Sequence, residues 1–146
     1  MIEENIPLEE DWGDLSDRDI YYAFEYFGGK TNAELQDEFR KNIHERCFNL
    51  GNMPIKPFLY YILGLAEYIV SNDFDEFNTP LAASGFVEIL EKKVNEYPSQ
   101  IKLIYPKLIS LLKDIAENQL KYDIDVDIYG DLKKSFENIN KAIEQC

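Results

Sequence analysis

The chain has 146 residues, of which 45% are apolar and 14% aromatic, and its formal net charge at pH 7 is −13. This length and apolar content exclude a disordered acidic tail and predict one domain with a buried core. The charge excludes a nucleic-acid-binding or anionic-membrane-binding surface and favours cationic protein partners.

The negative charge is concentrated near the N-terminus. Residues 1–38 contain twelve acidic and two basic side chains, which accounts for −10 of the −13. The remaining 108 residues contain 16 acids and 13 bases and are nearly balanced. The chain therefore presents one strongly negative region.

Helix start and stop signals dominate the first part of the chain, whereas strand signals are scarce. Ser16 is predicted to cap a helix over about residues 17–27, which ends at a pair of glycines. The motif Thr-Asn-Ala-Glu at residues 31–34 predicts a capping box and a second helix to about residue 42. Residues 44–56 include a Gly-Asn turn and two nearby prolines, and they are predicted to be irregular.

Four further helices are predicted in the second part of the chain, over about residues 57–71, 79–97, 99–122 and 129–145. Pro106 predicts a kink or break of the third of these near Tyr105. The last has a predicted buried stripe formed by Ile128, Leu132, Phe136, Ile139 and Ile143.

The helix over residues 57–71 is apolar at nearly every position, which predicts that it is central. Phe58, Ile62, Leu65 and Ile69 are its predicted core residues. Gly64 is expected to allow a close approach by another part of the backbone. The pattern as a whole predicts a single all-α domain over residues 1–146, a bundle of about six helices, with residues 1–15 as an acidic N-terminal arm.

Localisation is predicted from the N-terminus and the cysteines. The chain opens Met-Ile-Glu-Glu-Asn, without the basic start and apolar run of a signal peptide. Its most apolar run is 13 residues long (58–70), shorter than the ~20 residues that a membrane span needs. Cys47 and Cys146 match no metal or redox spacing. These features predict a cytoplasmic protein with free thiols, no membrane association and no cofactor.

Signals for chemistry are weak, which favours a protein that is not an enzyme. His44 is the single histidine, and no second histidine exists to complete a zinc or di-iron motif. The run Asp-Ile-Asp-Val-Asp at residues 123–127 begins like a calcium loop, but Ile128 stands at the glycine position and Lys134 at the glutamate position. A solvated or partner-facing acidic loop, with Ile124 and Val126 pointing inward, is the preferred interpretation. Glu67 either has a pKa raised by burial or lies on a stripe that reaches solvent.

The acidic N-terminal region is the predicted partner-binding site, because acidic residues there surround apolar ones as in many protein interfaces. A merely solvated acidic face is the alternative. Trp12 is a candidate anchor for the partner, or it pins the arm to the bundle. The predicted contact residues are Glu9, Glu10, Asp11, Trp12, Asp14, Asp17 and Asp19, extended by Asp73, Asp75 and Glu76.

Two stretches resemble a known family. The sequence Asp-Ile-Tyr-Tyr-Ala-Phe-Glu-Tyr-Phe-Gly-Gly-Lys-Thr-Asn-Ala-Glu at residues 19–34 continues through Phe39 and Asn42, and Met-Pro-Ile-Lys-Pro-Phe-Leu-Tyr-Tyr at residues 53–61 leads into Ala-Glu-Tyr at 66–68. Together they are similar to the small helical immunity proteins of bacterial contact-dependent growth-inhibition systems. The resemblance implies a cytoplasmic protein that binds and blocks the C-terminal domain of a cognate toxin, frequently a nuclease.

Charge supports the same hypothesis independently, because a nuclease surface must be basic to bind its substrate. We therefore expect an immunity protein that neutralises a toxin by occluding its active-site or substrate-binding surface. One alternative is an acidic regulator that mimics nucleic acid against a DNA-binding protein. Another is an enzyme with carboxylates in the bundle interior.

Overall fold

The computed structural model describes residues 6–71 and 78–146, and its regular elements are helices. In chain order the α-helices are α1 (Arg18–Phe27), α2 (Gln36–Lys41), α3 (Ile43–Gly51), α4 (Ile55–Ser71), α5 (Asn78–Glu96), α6 (Pro98–Glu117), α7 (Val126–Tyr129) and α8 (Leu132–Glu144). Two 3-10 helices, Glu9–Trp12 and Gln119–Tyr122, precede α1 and follow α6. The described residues contain no strand. The prediction of an all-α bundle is confirmed, and six of these helices have nine or more residues.

Helix α4 is central because it is apolar on most of its faces. Phe58, Ile62 and Leu65 have no exposed surface and Ile69 is buried, which confirms the predicted core positions. Helices α2, α5 and α6 and the first 3-10 helix pack around α4. Residues distant in sequence therefore share one core.

Gly64 allows a close approach, as predicted, but the group that approaches it is a side chain. A Cβ atom at residue 64 would lie 2.2 Å from Asn32 Oδ1. Asn32 is held there because its Nδ2 donates to the Tyr60 carbonyl oxygen at 3.0 Å. Glu67, on the same stripe of α4, is exposed, which agrees with the interpretation that this stripe reaches solvent.

Two helix starts differ from the prediction. Asp17, rather than Ser16, caps α1, since its Oδ1 accepts from the backbone N–H groups of Asp19 and Ile20. The capping box of residues 31–34 does form, with Thr31 N–H donating to Glu34 Oε1 at 2.8 Å. It closes a turn, however, and the regular helix begins only at residue 36.

The prediction that residues 44–56 are irregular is wrong, since most of them belong to α3 and to the first turn of α4. Asn42 has a non-helical backbone conformation, and its side chain caps α3 by accepting from Glu45 N–H. Lysines from α5 satisfy carbonyl groups where α3 ends: Lys92 Nζ donates to Gly51 O at 3.1 Å and the buried Lys93 Nζ to Met53 O at 2.6 Å. The end of this segment is thus held by residues 40 and 41 positions away.

The predicted boundaries also shift after residue 98. Helix α6 continues through Pro106, an exposed residue, so the chain has no break near Tyr105. The predicted helix over 129–145 is divided, since Gly130 has φ 83° and separates α7 from α8. The prediction that Ile128 belongs to the buried stripe of that helix is wrong: its side chain is 74% exposed, because α7 ends before Gly130 and α8 begins a separate helix.

Candidate protein-binding surface

Trp12 attaches the N-terminal arm to the bundle. Its side chain has no exposed surface, and its ring centroid lies 5.5 Å from that of Phe24 and 6.1 Å from that of Tyr61. Of the two roles considered for Trp12, pinning the arm is the one that fits this burial. As placed here, the side chain offers a partner no surface.

Several of the predicted contact acids bind the local backbone. Asp11 Oδ2 accepts from Leu8 N–H at 2.9 Å, and its Oδ1 lies 3.7 Å from Lys56 Nζ. Asp14 accepts from both the hydroxyl and the backbone N–H of Ser16, which hold the pKa of the Asp14 carboxyl below its usual value. Asp17 caps α1. These acids contribute negative charge, but they also stabilise the arm and the helix start.

Glu9, Glu10 and Asp19 are exposed, and their carboxylates make no hydrogen bond or ion pair with another described residue. Their carboxylates are therefore available to a partner. Asp73, Asp75 and Glu76, which were predicted to extend the contact, lie outside the described residues.

The structure adds a feature that the sequence argument missed, a set of exposed tyrosines on α1. Tyr21, Tyr22 and Tyr26 are 46%, 43% and 39% exposed. The buried face of α1 is formed by Ala23 and Phe27, with Ile20 and Phe24 packed beside them, so the tyrosines lie on the remaining faces. Helical phase could have found them, because residues 22 and 26 are four apart and share one side with residue 19.

The tyrosines and the neighbouring acids form a single surface, which we call the α1 surface; its residues are Asp17, Asp19, Tyr21, Tyr22, Glu25 and Tyr26. Glu25 is exposed, and its carboxylate makes no hydrogen bond or ion pair with another described residue. Arg18 is the one basic residue of α1, and its guanidinium lies 5.9 Å from the Tyr22 ring centroid. Tyrosine among charged residues is the composition of many binding sites, because its ring provides contact area and its hydroxyl a polar group.

Arg46 of α3 supports the α1 surface from below. This arginine is buried, its guanidinium carbon lies 3.6 Å from the Tyr26 ring centroid, and its Nη1 lies 3.4 Å from Glu38 Oε2. The Arg46 guanidinium covers one face of the Tyr26 ring, and the tyrosine side chain stays partly exposed. Tyr26 is thereby presented in a defined orientation.

A groove between α3 and α5 contains the residues closest to a catalytic arrangement. The cavity measures about 490 Å³, and its walls include His44, Cys47, Phe48, Leu81 and Glu88. Burial raises the pKa of the Cys47 thiol to about 12, and the charge of Glu88 adds to the rise. A thiol with that pKa is a poor nucleophile at neutral pH, so Cys47 is not suited to nucleophilic catalysis.

The acidic loop over residues 123–131 uses part of its carboxylates as helix caps. Asp125 Oδ1 accepts from Asp127 N–H at 2.8 Å, and Asp131 Oδ1 accepts from Lys133 N–H at 3.0 Å. Ile124 points inward as predicted, whereas Val126 is exposed, so that part of the prediction is wrong. Within the described residues, no three His, Cys, Asp or Glu side chains are grouped as metal ligands would be.

Among the helices in the described part of the chain, none combines the length and hydropathy of a membrane span. A comparison of the chain with protein-family models, with curated proteins and with solved structures finds no match in any of the three.

Proposed function

We propose that this chain is a cytoplasmic immunity protein that binds the basic C-terminal nuclease domain of a cognate toxin and occludes its substrate-binding surface. The observation that carries the proposal is the α1 surface, in which three exposed tyrosines stand beside the exposed carboxylates of Asp19 and Glu25. The sequence resemblance to immunity proteins of contact-dependent growth inhibition supports the same role.

The proposed contact is made by the α1 surface together with Glu9 and Glu10 of the arm. The carboxylates attract a basic domain over distances of about 10 Å, and the tyrosines supply short-range contact area. Neutralisation needs no chemistry by this protein, since covering the basic surface is sufficient to exclude an RNA or DNA substrate. The protein acts as an inhibitor and not as an enzyme.

The test is co-expression with the toxic C-terminal domain encoded by the neighbouring reading frame, combined with kinetic measurement of binding. Asp19→Lys with Glu25→Lys reverses two carboxylates of the α1 surface. Glu137→Lys with Glu144→Lys makes the same change of net charge at exposed positions of α8. We expect the α1 pair to lose protection and to raise the Kd by about 10-fold or more, while the α8 pair still protects.

Two results would count against the proposal. Full protection by the α1 pair would place the contact elsewhere on the molecule. Failure of the unaltered protein to bind the basic domain would remove the immunity role itself.

The second candidate, a nucleic-acid-mimicking regulator, is favoured by the concentration of −10 charge in residues 1–38. A mimic depends on the carboxylates and not on the tyrosines. Tyr21→Ser with Tyr22→Ser separates the two functions, because it should weaken toxin binding and leave a mimic's binding to a DNA-binding protein unchanged.

A further inference from the structure

The three exposed tyrosines of the α1 surface differ in what holds their rings. The Tyr26 ring lies against the guanidinium of the buried Arg46, with 3.6 Å between the ring centroid and the guanidinium carbon. The corresponding distance from the Tyr22 ring to Arg18 is 5.9 Å, and Arg18 is itself exposed. The Tyr21 ring lies 5.8 Å from that of Tyr22, which is similarly exposed. In the described part of the chain, Tyr26 is therefore the one tyrosine of this surface that rests on a buried cation.

Arg46 is held in place by residues of three helices. It belongs to α3, in which Ile43 and Leu50 are also buried. Its Nη1 donates to Oε2 of Glu38, a residue of α2, at 3.4 Å. Its guanidinium lies over the ring of Tyr26 of α1. The orientation of the Tyr26 ring is thus set by the packing of α1, α2 and α3, and it exists before a partner binds.

Arg46 is not the residue that stability alone would favour at this buried position. Its Nε has no hydrogen-bond partner in the described part of the chain, which is a cost for a buried polar group. Replacing a buried ion pair by apolar side chains of similar volume is often neutral or stabilising. A guanidinium supplies what an apolar chain lacks, a flat charged group that covers one face of an aromatic ring. Arg46 therefore suits the orientation of Tyr26 better than it suits the filling of space.

A ring that is already oriented binds at a lower entropy cost. Side chains that a partner must immobilise lose rotamer freedom on binding, and a ring held in the free protein loses less. Tyrosine is also among the residues whose truncation most often costs affinity at protein interfaces. Tyr26 stays 39% exposed and shares one side of α1 with Asp19 and Tyr22. A partner that is attracted by the Asp19 carboxylate can thus contact the Tyr26 ring.

We propose that Tyr26 is the anchor of the contact with the basic partner, and that Arg46 is the positioning residue that holds the Tyr26 ring in its binding orientation. This inference rests on the proposed function and divides the α1 surface into two roles. The carboxylates of Asp19 and Glu25 speed association, and the Tyr26 ring slows dissociation. Tyr21 contributes less, because its ring is not held by a buried group.

The first test compares Tyr26→Ala with Tyr21→Ala, which removes a tyrosine of similar exposure from the same helix. The probe is the basic domain encoded by the neighbouring reading frame, and binding is followed kinetically. We expect Tyr26→Ala to dissociate about 30-fold faster at an unchanged association rate, and Tyr21→Ala at most about 3-fold faster. Far-UV circular dichroism and the Tm show that each variant is folded at the temperature of the measurement.

The second test asks whether Arg46 acts through Tyr26. Arg46→Met keeps an unbranched side chain and removes the guanidinium. It should speed dissociation about 10-fold when Tyr26 is present and leave dissociation unchanged in the Tyr26→Ala background. An arginine that only stabilised the fold would not show this dependence on the ring. The comparison of the two tyrosines stands whether or not Arg46→Met folds.

Each alternative outcome has its own consequence. Dissociation of Tyr26→Ala at the rate of the unaltered protein, or no faster than that of Tyr21→Ala, overturns the anchor, and the proposed function stands if the pair Asp19→Lys with Glu25→Lys still loses binding. Equal effects of Arg46→Met with and without the Tyr26 ring overturn the positioning role. Absence of binding by the unaltered protein overturns both this inference and the proposed function.

Discussion

The guanidinium carbon of Arg46 lies 3.6 Å from the centroid of the Tyr26 ring, and the arginine is buried while the tyrosine is partly exposed. This contact joins α3 to α1 and orients one of the tyrosines of the α1 surface. The nearest acid, Glu38, is 3.4 Å from Arg46 Nη1. A buried cation is thus compensated by one carboxylate and one aromatic face.

The Arg46 contact predicts that replacing Arg46 by alanine destabilises the protein more than replacing Arg40 does. Arg46→Ala should lower the free energy of unfolding by about 2 kcal/mol or more, because a desolvated cation–π contact and a partly buried ion pair are lost. Arg40→Ala is the control, since its ion pair with Asp37 is exposed on both sides and is worth at most about 1 kcal/mol. Urea unfolding measures both values, and equal effects would contradict the stabilising role of Arg46.

The core of α4 predicts large losses for truncation. Ile62→Ala and Leu65→Ala should each lower the free energy of unfolding by about 2–5 kcal/mol, because both side chains are fully buried and a cavity remains. Val70→Ala on the same helix, at an exposed position, should change it by less than about 0.5 kcal/mol. If Ile62→Ala, Leu65→Ala and Val70→Ala unfolded at similar urea concentrations, α4 would not be central.

At residue 64 we expect the usual preference of helices for alanine over glycine to be reversed. Alanine normally stabilises a helix interior by about 1 kcal/mol relative to glycine. Here Gly64→Ala should destabilise by about 1–3 kcal/mol, because the added methyl would overlap Asn32 Oδ1. In an Asn32→Ala background the same change should become neutral or stabilising, and a double-mutant cycle without this coupling would contradict the contact.

The two cysteines are expected to differ in reactivity. With its pKa near 12, the Cys47 thiol is ionised to about one part in 10,000 at pH 8, and only the thiolate is alkylated. Iodoacetamide at pH 8 should therefore modify the exposed Cys146 and spare Cys47 in the folded protein, as read by peptide mass. Both should react in guanidinium chloride, and rapid labelling of Cys47 without denaturant would contradict the raised pKa of its thiol.

Electrostatic steering predicts that added salt lowers the association rate constant for the basic partner. The expected decrease is about 10–1000-fold. Charge reversal at Glu9, Glu10 and Asp19 should slow association at low salt and weaken the salt dependence. These positions are chosen because Asp14 and Asp17 bind the local backbone, so that changing them would also disturb the fold. Stopped-flow kinetics that are insensitive to both salt and these substitutions would exclude a contact at the N-terminal region.

The sequence alone determined the helical class, the start of α1 to within one residue and the core positions of α4. Caps such as Asp17 act on N–H groups two or three residues away, and the periodicity of an apolar face is likewise local. The sequence also determined the charge asymmetry, which is a count. The extension of the contact to Asp73, Asp75 and Glu76 stays a prediction.

The tertiary structure decided which of the predicted partner residues are accessible and which new ones join them. Trp12 became buried through Phe24 and Tyr61, the Ile128 side chain became exposed through the turn at Gly130, and α3 was completed by Lys92 and Lys93 of α5. Each of these outcomes depends on residues brought together by packing from elsewhere in the chain or on a change of chain direction. A local pattern carries no information on such contacts, because the free energy that selects them comes from burial between helices and not from the propensity of any one segment.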